Sequence, residues 1–382
     1  MSDKESLLLA LVVLHLLEGV LWLSHGTLLF RKDLRRRFGW VQPGGTVGNR
    51  RGGFVVVSPL PPFTAVFAAK PLPLAISAEG VAAFQAEVLP GTTTLQRSGR
   101  SIGWCALKDV RADERKLRLN GDVFFEGDSV HQAHEMAKLL RQLAAANDAQ
   151  RPALIRNVIS DSLDLKRLEK TRTDFDQSTT FLRTASLVLT VFLLVLCPVT
   201  IWRFGWLPAL WFILPLLLLQ TVLITARLRK VHRGLYPEAE EDRFRLTLLC
   251  GLAPLVAMRA PAILSRSLLE GFHPLAVAAG LLDKESFKSL ARGWWSDLVH
   301  PLMPSAPGDE AGAKIVDAFR TLQRDAVKSF LAGQGIAVDD LSKPGPRTDP
   351  SHAKVCPRCE TQFTSSATHC RECGGIVLVG LK

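Results

Sequence analysis

Two aliphatic runs, residues 185–202 and 204–228, stand back to back with only Arg203 between them, and that spacing admits few folds. Each is long enough to cross a hydrocarbon core of about 30 Å as a helix, and the link is too short for anything but a tight turn. They therefore read as two antiparallel spans. A third run, residues 7–30, holds a single carboxylate and reaches about 36 Å as helix at 1.5 Å per residue, so it reads as a first span. It opens with Ser2, Asp3, Lys4, Glu5 and Ser6 instead of a basic leader, which favours a retained anchor over a cleaved signal peptide.

Cations orient these spans. Arg31, Lys32, Arg35, Arg36 and Arg37 follow the first, Lys166, Arg167, Lys170, Arg172 and Arg183 precede the second, and Arg227, Arg229, Lys230 and Arg233 follow the third. Positive residues stay inside, so all three clusters predict a cytoplasmic side, with the N-terminus outside and the bulk and C-terminus in the cytoplasm. Only Arg203, at the outer turn, dissents. The excess of 47 Lys and Arg over 36 Asp and Glu, a net +11, is then largely explained by topology and not by a nucleic-acid surface. A fourth apolar run, 246–264, is broken by Pro254, Arg259 and Pro261 and reads as an interfacial or re-entrant helix within a mainly helical cytoplasmic region, 237–339. Inside that region Trp294 and Trp295 suit either a headgroup-level anchor or a protein core.

The first span also carries His15, Glu18 and His25, with Trp22, within one helical stripe. Ionisable groups in hydrocarbon are costly, so these are candidates for an intramembrane site, completed by Thr190, Thr200, Gln220 or Thr225. The plainer reading is hydrogen bonding between helices.

Between the first and second spans the pattern changes. A Gly-rich basic stretch, 44–53, reads as a linker, and seven short strand-like runs follow: 54–57, 64–69, 74–77, 81–86, 102–110, 116–120 and 123–126. Asp128 and Ser129 are placed to cap a helix whose apolar face carries Ala133, Met136, Leu139, Leu140 and Leu143. Phe54, Phe63, Phe67, Phe84, Trp104, Phe124 and Phe125 are expected in the core. The stretches ISAEGVAAF, SIGWCALKDV, KLRLNG and HQAHEMAKLLRQL resemble the bacterial PH-like pattern over residues 54–146, with Trp104 ahead of a strand ending at Val110. The resemblance implies a small β-barrel with a capping helix, used for binding or oligomerisation beside the membrane and carrying no catalytic residues. Residues 148–183 then read as a helical stalk with a solvated charged face.

The most specific motif is VCPRCETQFTSSATHCRECGG, in which Cys356, Cys359, Cys370 and Cys373 form two C-x2-C pairs. Each pair offers two sulfurs from one tight turn, and together they complete the tetrahedral thiolate shell that zinc prefers. The segment, 354–380, resembles the small zinc-ribbon family and is tethered by a Pro- and Gly-rich linker, 341–353. Four cysteines leave no open position for water, so the expected Zn2+ is structural. His369 is assigned no role, and Cys105, Cys197 and Cys250 read as small hydrophobes.

The expected protein is a multipass α-helical membrane protein with a cytoplasmic PH-like β domain, a helical region and a C-terminal zinc ribbon, in a plasma membrane compatible with a bacterial inner membrane. No Walker loop, nucleophile elbow or HExxH motif occurs. The expected function is that of a membrane-anchored scaffold or regulator contacting lipids and a membrane or cytoplasmic protein, or a second copy of itself. The alternatives are a membrane enzyme or transporter subunit using His15, Glu18 and His25, and a membrane-tethered nucleic-acid binder, for which the ribbon cations Lys354, Arg358 and Arg371 are a thin footprint.

Overall fold

A computed structural model describes residues 2–24, 40–43, 54–60, 63–69, 74–89, 92–127, 129–265, 267–281, 284–300, 310–343, 347–358, 360–371 and 376–381. His25, the cations at 31–37, the Gly-rich stretch 44–53, Asp128, Cys359 and Cys373 lie outside the described residues. Two compact units emerge, one from Met1–Gln42, Val55–Phe67 and Lys170–Leu269, the other from Pro43–Phe54, Ala68–Glu169 and Glu270–Lys382.

In the first unit, helix α1 (Asp3–Ser24) and a sheet in the order β1-β2-β3 (Trp40–Pro43, Phe54–Leu60, Phe63–Ala69) precede the apolar hairpin. Helix α4 (Leu165–Val191) runs through a widened π turn at Phe192–Leu196 into α5 (Cys197–Phe204), making one rod of 40 residues. The C-terminal part of the expected stalk and the second span are thus parts of the same helix. Pro198 has no N–H and its ring would press on the carbonyl one turn back, which accounts for the wide turn just before it. Gly205, at φ +77, reverses the chain in a backbone region that L side chains rarely adopt, and α6 (Trp206–Leu235) runs back for 30 residues.

These two helices are long and apolar enough to cross a membrane. Phe192, Cys197 and Ile201 pack against Ala209 and Ile213 along the seam, with Leu7 of α1 beside them. The outward faces carry large apolar groups, Trp211 at 82% and Leu207 at 79% exposure among them. Leaving a side chain of that size in water forgoes about 1.5–3 kcal/mol of burial, repeated along the hairpin. A Cβ built at Gly205 would lie 3.4 Å from the Asp3 carboxylate, so the start of α1 sits at the turn end of the hairpin. Residues 246–264 fall into three pieces, the C-terminal part of α7 (Glu240–Leu252), α8 (Pro254–Ala257) and α9 (Ala260–Leu264). The longest, α7, has 13 residues and would span only about 20 Å, short of a bilayer core.

In the second unit, β4 (Leu74–Ile76), β5 (Gly80–Leu89) and β6 (Thr92–Gly103) form one antiparallel meander. A second contains β7 (Val110–Asp113), β8 (Lys116–Leu119) and β9 (Asp122–Glu126). Gly80 is obligatory, since a Cβ there would come 2.3 Å from the Ile102 carbonyl. Leu119 pairs with Asp122 across Asn120 (φ +54) and Gly121 (φ +93), the two positive φ values that a two-residue hairpin turn needs.

None of the described sheets closes into a barrel. The expected strand 102–110 is interrupted by a 3-10 turn, Trp104–Ala106, whose buried indole Nε1 donates to the Ser77 carbonyl at 2.9 Å. Val110 consequently begins a strand instead of ending one. Helices cover the sheets where opposing strands were expected. Leu74, Val81, Trp104, Leu117 and Leu119 share a core with Leu140 and Leu143 of α2 (Val130–Ala145) and Ile155 and Ile159 of α3 (Arg151–Ser162). Ile315, Val316 and Phe319 of α12 (Glu310–Gly333) complete it. Ser129 caps α2, accepting from the Gln132 N–H at 3.0 Å. Phe124 and Phe125 pack at the edge of this core, as expected, while the side chains of Phe54, Phe63, Phe67 and Phe84 lie outside the described residues.

Arg151, expected on a solvated face, is 5% exposed. Its guanidinium donates to the carbonyls of Leu143 (3.0 Å), Ala146 (2.7 Å) and Ala78 (3.3 Å), pairs with Asp148 at 2.7 Å and lies over the Trp104 ring.

His273 precedes α10 (Pro274–Leu281), accepts from the Leu275 N–H at Nδ1 and packs on Trp294 of α11 (Lys284–Val299) with ring centroids 4.7 Å apart. Complete burial pushes its pKa down to about 3 from 6.5. Below pH 6.5 the unfolded chain takes up a proton that folded His273 refuses, so its contribution falls as pH drops from 6.5 towards 3, by up to about 1.4 kcal/mol per pH unit. Urea unfolding monitored by tryptophan emission at pH 7 and pH 5 should show this loss. His273→Asn keeps an acceptor for the Leu275 N–H and should flatten the difference; an equal pH dependence in the variant would assign it to other groups.

Candidate metal centre

The last segment builds its site on short strands that hold two turns. Strand β10 (His352–Val355) pairs with β11 (Gln362–Thr364), Lys354 opposite Phe363, and on its other side with β14 (Val379–Gly380). A second hairpin joins β12 (His369–Cys370) to β13 (Ile376–Val377), with Cys370 opposite Ile376.

Cys356 follows β10 directly and opens the first turn. Its N–H donates to the Thr361 carbonyl at 3.0 Å, and its carbonyl accepts from the Glu360 N–H at 2.9 Å. Glu360, immediately after Cys359 in sequence, sits at φ +58. That left-handed conformation is one glycine adopts freely and glutamate only at a cost.

Cys356 and Cys370 are both fully buried, and with Leu378 they form the centre of the segment's small core. Phe363, Ala367 and Ile376 only partly cover it. A segment this small with so little apolar interior usually needs a metal or a disulfide to hold its fold. The donor set fits a metal. Cys356 and Cys370, brought together from separate strands, would hold Zn2+ with Cys359 and Cys373, whose own geometry lies outside the described residues. Four thiolates would give a closed shell that supplies structure and not Lewis-acid chemistry.

Several residues around the first turn were not foreseen as part of the site. Ser296 of α11 donates its Oγ–H towards the carbonyls of Pro357 (2.7 Å) and Arg358 (3.1 Å), and Arg292 pairs with Glu360 at 3.5 Å. Trp295 Nε1 donates to Ser342 Oγ at 3.3 Å, just beyond α13 (Val338–Leu341). Both Trp294 and Trp295 are buried in protein, which decides against the headgroup-anchor alternative. The linker is also engaged, since Thr348 donates to Gln362 Oε1 from N–H (2.9 Å) and hydroxyl (3.0 Å), and Arg347 donates to the Leu381 carbonyl. A crevice of about 50 Å³ between α11, α13 and the turn has room for water but not for a substrate. Beside it, burial and then the Arg358 charge lower the pKa of His300. In the sequence, only the paired tryptophans hinted at this seam.

His369 is exposed, with Nδ1 2.9 Å from Thr368 Oγ1. The intramembrane candidates are not assembled by what is described. His15 and Glu18 lie on α1 with their side chains outside the described residues, as is the whole of His25. Thr190 and Thr200 close onto carbonyls of their own helix, those of Ser186 and Leu196, both at 2.7 Å. Compared with known proteins, the chain matches no family model, no curated protein and no solved structure.

Proposed function

We propose that this chain is a membrane-anchored scaffold or regulatory protein that presents a zinc ribbon and a PH-like β module to a protein partner at the cytoplasmic face. The apolar hairpin serves as the anchor, with α1 as a third span. Placement of Asp3 at the hairpin turn fits an outer N-terminus, because it sets the cationic ends of both long helices on the opposite side.

One observation carries the protein-binding reading. The ribbon turns apolar side chains outward on two consecutive short strands, Val377 at 65% and Val379 at 44% exposure, while two of its three cations are engaged elsewhere and Arg371 is exposed. Lys354 donates to the Ala367 carbonyl at 2.7 Å, and Arg358 is buried. An apolar edge with few free cations suits a protein surface better than a phosphate backbone. The sheet module, with antiparallel strands followed by a capping helix, serves as a second binding surface.

The test is capture of membrane partners from detergent extracts by intact protein, by Val377→Ser with Val379→Ser, and by Glu18→Gln, each checked for membrane insertion. Partner recovery should fall about tenfold in the valine variant, the loss expected when a central apolar contact is removed, and be unchanged by Glu18→Gln. Unchanged recovery with the valine variant, alongside loss of cellular function in Glu18→Gln, would transfer the activity to the intramembrane stripe.

A further inference from the structure

At the end of α6 the chain turns through Tyr236, whose hydroxyl donates to the Leu264 carbonyl at 2.6 Å, and α7 packs back on α6. Between them lies an open cleft of about 890 Å³, lined by Arg229, Glu240, Glu241, Arg243, Phe244, Thr247, Leu248, Gly251 and Leu252. Its volume falls in the usual range for small-molecule sites. Four features make its chemistry specific.

Arg243 is the first. Its side chain is only 7% exposed, yet Nη1 is buried with no hydrogen-bond partner among the described residues. Nη2 reaches Glu240 at 3.3 Å, but that carboxylate is 85% exposed and holds the cation loosely. A buried guanidinium on a residue that lines a cleft calls for an acceptor, because an unsatisfied charged donor is costly. Second, the lining holds Arg229 and Arg243 with Glu240 and Glu241, and since Glu241 is already paired with Arg245, Glu240 is the carboxylate open to a ligand cation. Third, Phe244, Leu248 and Leu252 form an exposed apolar stripe at helical spacing down one side of α7. Fourth, the cleft opens beside Arg229, where the apolar run of α6 gives way to Arg227, Arg229 and Lys230, the level at which headgroups meet a spanning helix.

A phosphate and a primary ammonium on one short headgroup, followed by acyl chains, would meet all four demands. We infer that this cleft binds a zwitterionic phospholipid of the phosphoethanolamine type, with phosphate on Arg243 and Arg229, ammonium on Glu240, and acyl chains along Phe244, Leu248 and Leu252. A singly anionic headgroup drawing on Arg243 would leave Glu240 without a cation. A choline headgroup presents methyl groups where Glu240 needs an N–H donor.

This inference deepens the membrane-anchor reading and rests on it, so membrane insertion is scored separately by alkaline extraction. Loss of insertion would strike the anchor reading, whereas insertion without lipid selectivity would strike only the cleft. The experiment incorporates the full chain into nanodiscs of phosphatidylcholine doped with phosphatidylethanolamine or phosphatidylglycerol and counts retained lipids by native mass spectrometry after release into detergent. Phosphatidylethanolamine should be retained about tenfold over phosphatidylcholine, and Arg243→Gln should abolish that preference. Because Arg243 is buried, a second variant, Phe244→Ser with Leu252→Ser, changes only exposed residues and should lower retention with its circular dichroism unchanged. Glu240→Gln should narrow the preference for ethanolamine over choline. Equal retention of all three lipids would overturn the inference. So would phosphoethanolamine itself competing as well as the whole lipid, since that would indicate a site for a free headgroup.

Discussion

Cys356→Ser is expected to reduce bound zinc from one ion per chain to none and to release the ribbon from α11. The magnitude follows from how little else holds the segment together. Its core is two thiols and Leu378, with partial cover from three further residues, while structural zinc contributes on the order of 10 kcal/mol or more to small metal-dependent folds. Without the ion the turn carrying Pro357 and Arg358 has no reason to keep its carbonyls aimed at Ser296, and the Arg292 to Glu360 pair lies too near solvent to restore it. Elemental analysis reads the metal, and limited proteolysis between residues 347 and 351 reads the docking. Chelation of the wild type should reproduce both changes. A variant chain that kept stoichiometric zinc, or that stayed protected from cleavage without it, would sink the four-thiolate assignment.

Arg151→Met is the second large effect, and it falls on the sheet core instead of the metal. Methionine retains much of the apolar stem but leaves the carbonyls of Leu143, Ala146 and Ala78 without their donor and lifts a cation from the Trp104 face, while the exposed Asp148 loses only a solvent-screened partner. Leaving partly buried carbonyls unpaired costs about 1–3 kcal/mol. Arg151→Lys should recover only part of that, because an ammonium cannot reach three carbonyls and a carboxylate from one planar fork. The midpoint of thermal unfolding, followed in the near ultraviolet where Trp104 reports, distinguishes the two variants. Equal midpoints for wild type and Arg151→Met would mean that the clamp is redundant.

How far the sequence could be read depends on whether each structure is local. The hairpin was legible because its apolar residues are consecutive. The Asn120 and Gly121 turn was likewise written in two adjacent residues. Long-range placements were not legible. Strand β6 was missed over Thr92–Gly103 because its threonines, Gln96 and Arg97 lack the alternating apolar signal. Arg151 looked like one more cation in a charged stretch, since nothing local reveals that three carbonyls converge on it. The spacing of Ile315 and Phe319 announced an amphipathic helix, but periodicity names a face and not its counterpart. Six of the seven strand-sized runs fall on strands, whereas the described sheets do not close into a barrel, because helices supplied the cover that strands were expected to give.

The position of α12 in that core has a consequence for how the protein is made. A ribosome releases β4 to β9 early, but the helix contributing Ile315, Val316 and Phe319 is encoded downstream of both long apolar helices. At ordinary elongation rates of roughly 5–20 residues per second, the gap lasts on the order of ten seconds or more. During that interval the nascent sheets hold an apolar face without its last helix while the two long apolar helices that follow them are still being made. The chain therefore has a window of vulnerability set by gene order, in which a chaperone or the emerging α2 and α3 must shield the sheets until their last helix arrives.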